Sequence, residues 1–204
     1  MPVKLNSKPY ALIGNRKDVH LAYSEELIRI GYYLSSVGAL FRSGGSGTSD
    51  KSGEAGVVRY YEENEKEVDY EVFLPWKNFD AATRLSPPEA YKTLTKEMEE
   101  WADEILIENK VCTFIKNLPS GIANMFRRNV CQIMGYGPGQ QYSKFVVYYA
   151  KEGYPKRTIK GGTRIAVYLA RKLKIPTFNI AFEKDRKEFS RFTGYEFTVL
   201  DGSF

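Results

Sequence analysis

Apolar residues in this chain fall in short runs separated by amphipathic or polar stretches. Tyr-Ala-Leu-Ile at 10–13 is one such run. It ends at Gly14-Asn15-Arg16 and so reads as a buried strand leading into a turn. Leu27, Ile30, Tyr33 or Leu34, and Val37 then recur at helical spacing, with Ser24 as the predicted N-cap and Gly38 as the C′ residue. A second short strand over 39–42 runs into SGGSGTSDKSGEAG at 43–56. From Glu54 a second helix is expected, covering Ala55 to about Tyr61. Residues 62–71 carry six acids against Lys66 alone, which suits a solvated face or loop. Residues 70–74 read as a third strand stopped by Pro75, and 77–85 as loop; no role is assigned to 57–85.

Ser86-Pro87-Pro88-Glu89 reads as a helix start, and Ala90, Leu94, Met98, Trp101 and Ile105 follow on one stripe. One long amphipathic helix is therefore predicted over 87–108. A short helix over 125–134 ends at Gly135, and KFVVYYA at 144–150 is the clearest strand. Residues 160–180 read as loop, helix, turn and strand, with Ala166, Leu169, Ala170 and Leu173 on the buried helix face. The strand there is placed at 177–181, and a final strand at 195–200. This alternation predicts a single α/β domain over 1–204, a doubly wound and mainly parallel sheet with helices on both faces. In such sheets ligands bind beyond the carboxyl ends of the strands, which would gather 14–16, 43–50 and 160–163 at one rim.

Composition narrows the chemistry. The chain of 204 residues is 43% hydrophobic and 27% charged, which suits a soluble globular protein. Thirty Lys and Arg against 25 Asp and Glu give a net charge of +5, a mild excess compatible with an anionic ligand. One histidine, His20, and two cysteines, Cys112 and Cys131, cannot supply the roughly four close ligands of a zinc site. They also exclude a disulfide framework and make a Ser-His-Asp hydrolase improbable. Both thiols are read as buried in a reducing compartment. There is no apolar run of about 18 residues and no signal-peptide pattern, so a cytoplasmic protein without membrane contact is expected.

The loops carry the candidate chemistry. Ser43, Gly44, Gly45 and Ser46 open a segment whose backbone can approach a phosphate closely, although neither a Walker loop nor a GxGxxG register is present. Gly161, Gly162 and Thr163 repeat that logic before the next helix. Lys156, Arg157, Arg164, Arg171, Lys172 and Lys174 surround them without an intervening acid, a stretch suited to a nucleotide or a nucleic-acid backbone. Arg128 and Asn129, read as lying at the start of a short helix, suit bidentate phosphate contact. Asp50 and Glu54, one helical turn apart, suit ribose hydroxyls or acid/base work.

Taken in order, GNRK at 14–17, SGGSGTSD…EAG at 43–56, RRNVCQIMG at 127–135, KFVVYYA and KGGTRIAVYLARKLKIPTFNI resemble the SLOG superfamily of Rossmann-like domains. They are most similar to its DprA-like (DNA-processing protein A-like) branch, common in phage genomes. The resemblance implies a nucleotide-phosphate pocket at the strand tips, built from Gly14, Asn15, Arg16, Ser43, Gly44, Gly45, Ser46, Asp50, Glu54, Arg128, Asn129, Gly161, Gly162 and Thr163. It implies one of three activities. The first is holding, by sensing or sequestering, a small nucleotide such as an NAD-derived, ADP-ribose-type or cyclic signal, as a sponge in anti-defence would. The second is binding single-stranded DNA to load a recombinase, with Tyr148, Tyr149 and Tyr154 as stacking platforms. The third is N-glycosidic cleavage of nucleoside monophosphates, as in the similar Lonely Guy phosphoribohydrolases. Those hydrolases carry PGGxGTxxE, whereas here Gly161-Gly162-Thr163 is followed by Arg164-Ile165-Ala166-Val167. Ser46 and Thr48 likewise replace the Ala and Gly of the DprA-like SGGAxGxD loop. The expectation is therefore a nucleotide binder rather than an enzyme, with no cofactor or metal. Relatives dimerise, so a homo-oligomer is expected.

Overall fold

The chain runs through β1 (Pro9–Gly14), α1 (Leu21–Ser36), β2 (Leu40–Ser43), α2 (Gly47–Glu63), β3 (Glu71–Leu74), β4 (Tyr91–Thr93) and α3 (Lys96–Glu108). It continues through α4 (Ser120–Met134), β5 (Val146–Tyr149), α5 (Gly161–Lys172), β6 (Thr177–Asn179) and α6 (Glu183–Thr193). This is a computed structural model that describes residues 2–17, 19–151, 159 and 161–198. The six strands form one all-parallel sheet in the order β4-β3-β2-β1-β5-β6, a doubly wound Rossmann-like α/β fold.

Strand alternation divides the core into two layers. Tyr10 and Leu12 of β1 pack with Leu27, Ile30 and Leu34 of α1, Val57 of α2 and Phe189 of α6. Ala11 and Ile13 point the other way, toward Leu106 of α3, Val130 and Ile133 of α4 and Leu169 of α5. β5 repeats the pattern, with Val147 and Tyr149 on the first face and Val146 and Tyr148 on the second. Each fully buried Leu or Ile contributes about 1.5–3 kcal/mol, so the two-sided core fixes the strand register. The chain lays β2, β3 and β4 outward on one side of β1, then returns to place β5 and β6 on the other. The direction of winding therefore reverses between β1 and β5.

Several predicted boundaries move. α1 starts one turn before Ser24, and His20 Nδ1 caps it by accepting the Ala22 N–H at 3.3 Å. Exposed Leu21 hides that turn from the apolar pattern. Gly38 does hold the C′ position, at φ +78°. α2 begins at Gly47 rather than Glu54, because its glycines serve packing rather than flexibility. A Cβ on Gly31 would overlap the Gly53 carbonyl, and one on Gly56 would overlap the Ile28 carbonyl, so α1 and α2 touch backbone to backbone.

The predicted helix over 87–108 is instead three pieces. A 3-10 turn at Pro88–Ala90 leads into β4, whose Tyr91, Lys92 and Thr93 pair with Val72, Phe73 and Leu74. Thr95 then caps α3 by accepting the Met98 N–H at 3.3 Å. Ala90 and Leu94 fit a helical stripe by coincidence, while the aromatic and β-branched Tyr91-Lys92-Thr93 answers to the sheet. Met98 packs on Phe73 and Cys131, with Trp101 against them, so this stripe belongs to the core. α4 begins five residues before Met125, which places Arg127, Arg128 and Asn129 in mid-helix. α6 has no predicted counterpart, since only Phe189 and Thr193 along it are buried. Residues 195–198 pair with no strand. They are held instead by Glu26, which accepts from Tyr195 Oη and Thr198 Oγ1, each at 2.5 Å. Residues 199 and 200 of that predicted strand lie outside the described residues.

Candidate functional site at the carboxyl ends of β1 and β5

The ends of β1 and β5, the first turn of α2, the middle of α4 and the start of α5 enclose a pocket of about 180 Å³. It sits at the point where the sheet reverses its winding, the place at which doubly wound folds leave a crevice. Gly14, Asn15, Arg16, Ser46, Asp50, Arg128, Asn129, Gly161, Gly162 and Thr163 all line it, as the sequence predicts. Four other predicted residues stand behind the wall. Ser43 Oγ donates to the Leu12 carbonyl at 2.7 Å and so braces β2 against β1. Gly44 lies flat against Arg128, where any Cβ would overlap the guanidinium. Gly45 packs on Val72.

Glu54 is the fourth. Its Oε1 accepts from Ser86 N–H (3.2 Å), Ser86 Oγ (2.6 Å) and Tyr91 Oη (2.7 Å), tying the β3–β4 connection to α2. That carboxylate is committed to structure, and burial with Glu54 beside it pushes the Tyr91 hydroxyl up.

A buried ion pair forms the centre of the pocket. Arg128 Nη1 stands 3.4 Å from Asp50 Oδ2, both side chains about 95% buried. Asp50 Oδ1 accepts the Gly14 N–H at 3.1 Å, and Oδ2 accepts the Ser46 N–H at 3.2 Å. Burial nonetheless pushes the Asp50 carboxyl up to about 6, against the pull of Arg128 and the Ser46 amide. Burial also pulls the Arg128 guanidinium below its ordinary range, opposed by Asp50. Both charges are therefore incompletely compensated.

Gln132, one helical turn after Arg128, is a pocket residue that motif reading missed; its i+4 spacing is the available signal. With its amide oriented to suit its neighbours, its oxygen accepts from Arg128 Nη1 (3.0 Å) and Gly44 N–H (2.8 Å), and its nitrogen donates to Asn129 Oδ1 (3.0 Å). Asn129 Nδ2 in turn donates to the Gly162 carbonyl at 2.9 Å. Thr163 Oγ1 donates to the Gly14 carbonyl at 2.9 Å, fixing the start of α5 against the end of β1. Arg128 retains donor capacity. Its Nε is buried and finds no hydrogen-bond partner among the described residues, and Nη2 has a long 4.0 Å contact to Met125 Sδ.

The basic stretch divides: exposed Arg164 follows pocket-lining Gly161, Gly162 and Thr163 in the first turn of α5, whereas the later bases lie away from the pocket. α5 starts at the rim and runs back along the sheet, which carries Arg171 and Lys172 of its last turn, and Lys174 beyond it, to the opposite end. Arg171 there donates to Thr177 Oγ1 and Tyr148 Oη. Tyr148 and Tyr149 are buried in β5 and cannot stack on bases. Lys156, Arg157, Lys160 and Tyr154 lie outside the described residues. Cys112 and Cys131 are free and buried. No group of His, Cys, Asp and Glu among the described residues could hold a metal ion, and no described helix is long and apolar enough to cross a membrane. Comparison with known proteins matches no family model, no curated protein and no solved structure.

Proposed function

We propose that this protein holds a small phosphate-bearing nucleotide at the β1/β5 crevice, as a sensor or sequestering protein for an NAD-derived, ADP-ribose-type or cyclic nucleotide. One observation carries the reading. Arg128 is buried in the pocket wall with Nε unsatisfied, so Asp50 and Gln132 compensate the desolvation of its guanidinium only in part and an incoming anion would complete it. The phosphate would take Arg128 Nη2 together with the first-turn amides of α5, where the helix dipole favours negative charge. Asp50 uses about three of the four acceptor positions of a carboxylate, leaving one for a ribose hydroxyl. The likeness of the loop order to DprA-like domains supports the same reading.

Isothermal titration against a panel of ADP-ribose-type, cyclic and simple nucleotides tests it, together with mass spectrometry of small molecules released on denaturation. A micromolar ligand that Arg128→Lys weakens at least tenfold is the expected result. The absence of any binding or thermal shift across the panel would overturn it. Asp50 favours a second reading, N-glycosidic cleavage, because a pocket carboxyl held near 6 suits acid/base work. Chromatography of nucleoside monophosphates after incubation separates the two readings: release of free base, abolished by Asp50→Asn, would establish cleavage.

A further inference from the structure

At about 180 Å³ the pocket is smaller than the roughly 300–1,000 Å³ of common ligand sites. A nucleotide with its phosphate on Arg128 would overfill it and extend over its edge. Arg16 forms one such edge. Its backbone backs onto Gly47, whose φ of +70° and lack of a side chain allow the contact, and its carbonyl accepts the Thr48 N–H at 3.1 Å. Its guanidinium then leaves the pocket, stands 5.8 Å from the Phe79 ring centroid and lies 3.5 Å from Asp80 Oδ1.

The β3–β4 connection that meets it is firmly braced. Arg84 donates to the carbonyls of Lys77 and Phe79 and lies 4.9 Å over the Tyr91 ring. Lys51 of α2 bonds Thr83 and stands 3.9 Å from Asp80. Glu54 holds Ser86 and Tyr91 from below. On this fixed loop Phe79 is buried, whereas Trp76, edge-on to it with ring centroids 5.1 Å apart, stays 41% exposed. Trp76 is thus an exposed indole one ring removed from Arg16 at the edge of a phosphate-sized pocket, the form of a base-stacking platform.

We propose that Trp76 is the shelf on which the nucleobase of the bound ligand stacks, with Arg16 bridging shelf and phosphate pocket, so that the protein selects base-bearing nucleotides over sugar phosphates. This assignment rests on the nucleotide reading of the Arg128 pocket. It is tested with the full chain by titrating AMP, ribose 5-phosphate and inorganic phosphate. Trp76 and Trp101 are its two tryptophans, so a Trp101→Phe background isolates the emission of Trp76. AMP is expected to quench that emission saturably, and the two baseless ligands to leave it unchanged. Trp76→Ala should weaken AMP about tenfold, to the level of ribose 5-phosphate, without altering ribose 5-phosphate itself, and Trp76→Phe should restore most of the difference. AMP bound with unaltered affinity by Trp76→Ala, or bound without any change in Trp76 emission, overturns the shelf and leaves the Arg128 pocket standing. Failure of all three ligands to bind the unaltered protein removes the pocket reading and the shelf with it.

Discussion

Asp50 and Arg128 show how much of this site is decided by burial. A carboxyl moved from 3.8 to about 6 holds its proton in the folded state at pH values where the unfolded chain has released it. Stability therefore falls as pH rises from about 4 to about 6, and the full cost, about 3 kcal/mol for some two pKa units, is present above that window. Asp50→Asn should flatten this segment of the stability profile, read as the difference between the two proteins in urea melts at pH 4, 5, 6 and 7. Exposed Glu63, Glu97 and Glu183 shift downward and contribute the opposite slope, equally in both proteins. Arg128→Ala strands the Asp50 carboxylate without its cation and should cost about 3 kcal/mol at pH 7.5, together with phosphate binding. Gly44→Ala places a methyl on the guanidinium. It should cost about 1–3 kcal/mol and impair ligand binding, which calorimetry and thermal melts read separately.

At the scale of elements, packing overrules local pattern in several places. Gly53 falls in a Gly/Ser-rich segment read as loop before the helix expected from Glu54, yet it lies inside α2 with Gly56. Glycine lowers helix propensity by about 1 kcal/mol, and close packing explains why it is tolerated: a Cβ on Gly53 would overlap the Leu12 side chain of β1, and one on Gly56 the Ile28 carbonyl of α1. Gly56→Ala is accordingly expected to destabilise the protein by about 1–3 kcal/mol despite its better helix propensity, measurable as a lower Tm with far-UV dichroism retained. Glu54 gives a second element-level test. Glu54→Ala leaves the Ser86 and Tyr91 hydroxyls without their acceptor, and should cost about 1–3 kcal/mol and raise hydrogen exchange across 75–93. A catalytic role for Glu54 would instead remove activity while leaving exchange there unchanged.

At the scale of the molecule, the position of the pocket follows from topology and not from net charge. The excess of +5 is spread so that Arg171, Lys172 and Lys174 stand at the end of the sheet opposite the pocket. Lys172→Glu should therefore leave nucleotide affinity at physiological salt unchanged within about twofold, since exposed charges beyond about 8–10 Å are screened. A large loss in that variant would return the basic stretch to the site and favour a backbone-binding function.

The sequence by itself determined the parallel α/β class, the central strands at 10–13 and 144–150, and an expected rim of 14–16, 43–50 and 160–163, of which 14–16, Ser46, Asp50 and 161–163 line the pocket. Runs of β-formers buried on both faces and Gly-rich strand ends carry those facts locally. Tertiary structure alone decided that Glu54 and Ser43 brace the fold, that 91–93 joins the sheet, that α6 exists, and that the distal bases face away. Each depends on a partner remote in the chain: Ser86 for Glu54, Leu12 for Ser43, β3 for β4, the Phe145 core for Phe189. The unsatisfied Nε of Arg128, on which the functional reading turns, depends on burial, and burial belongs to the assembled core rather than to any segment of it.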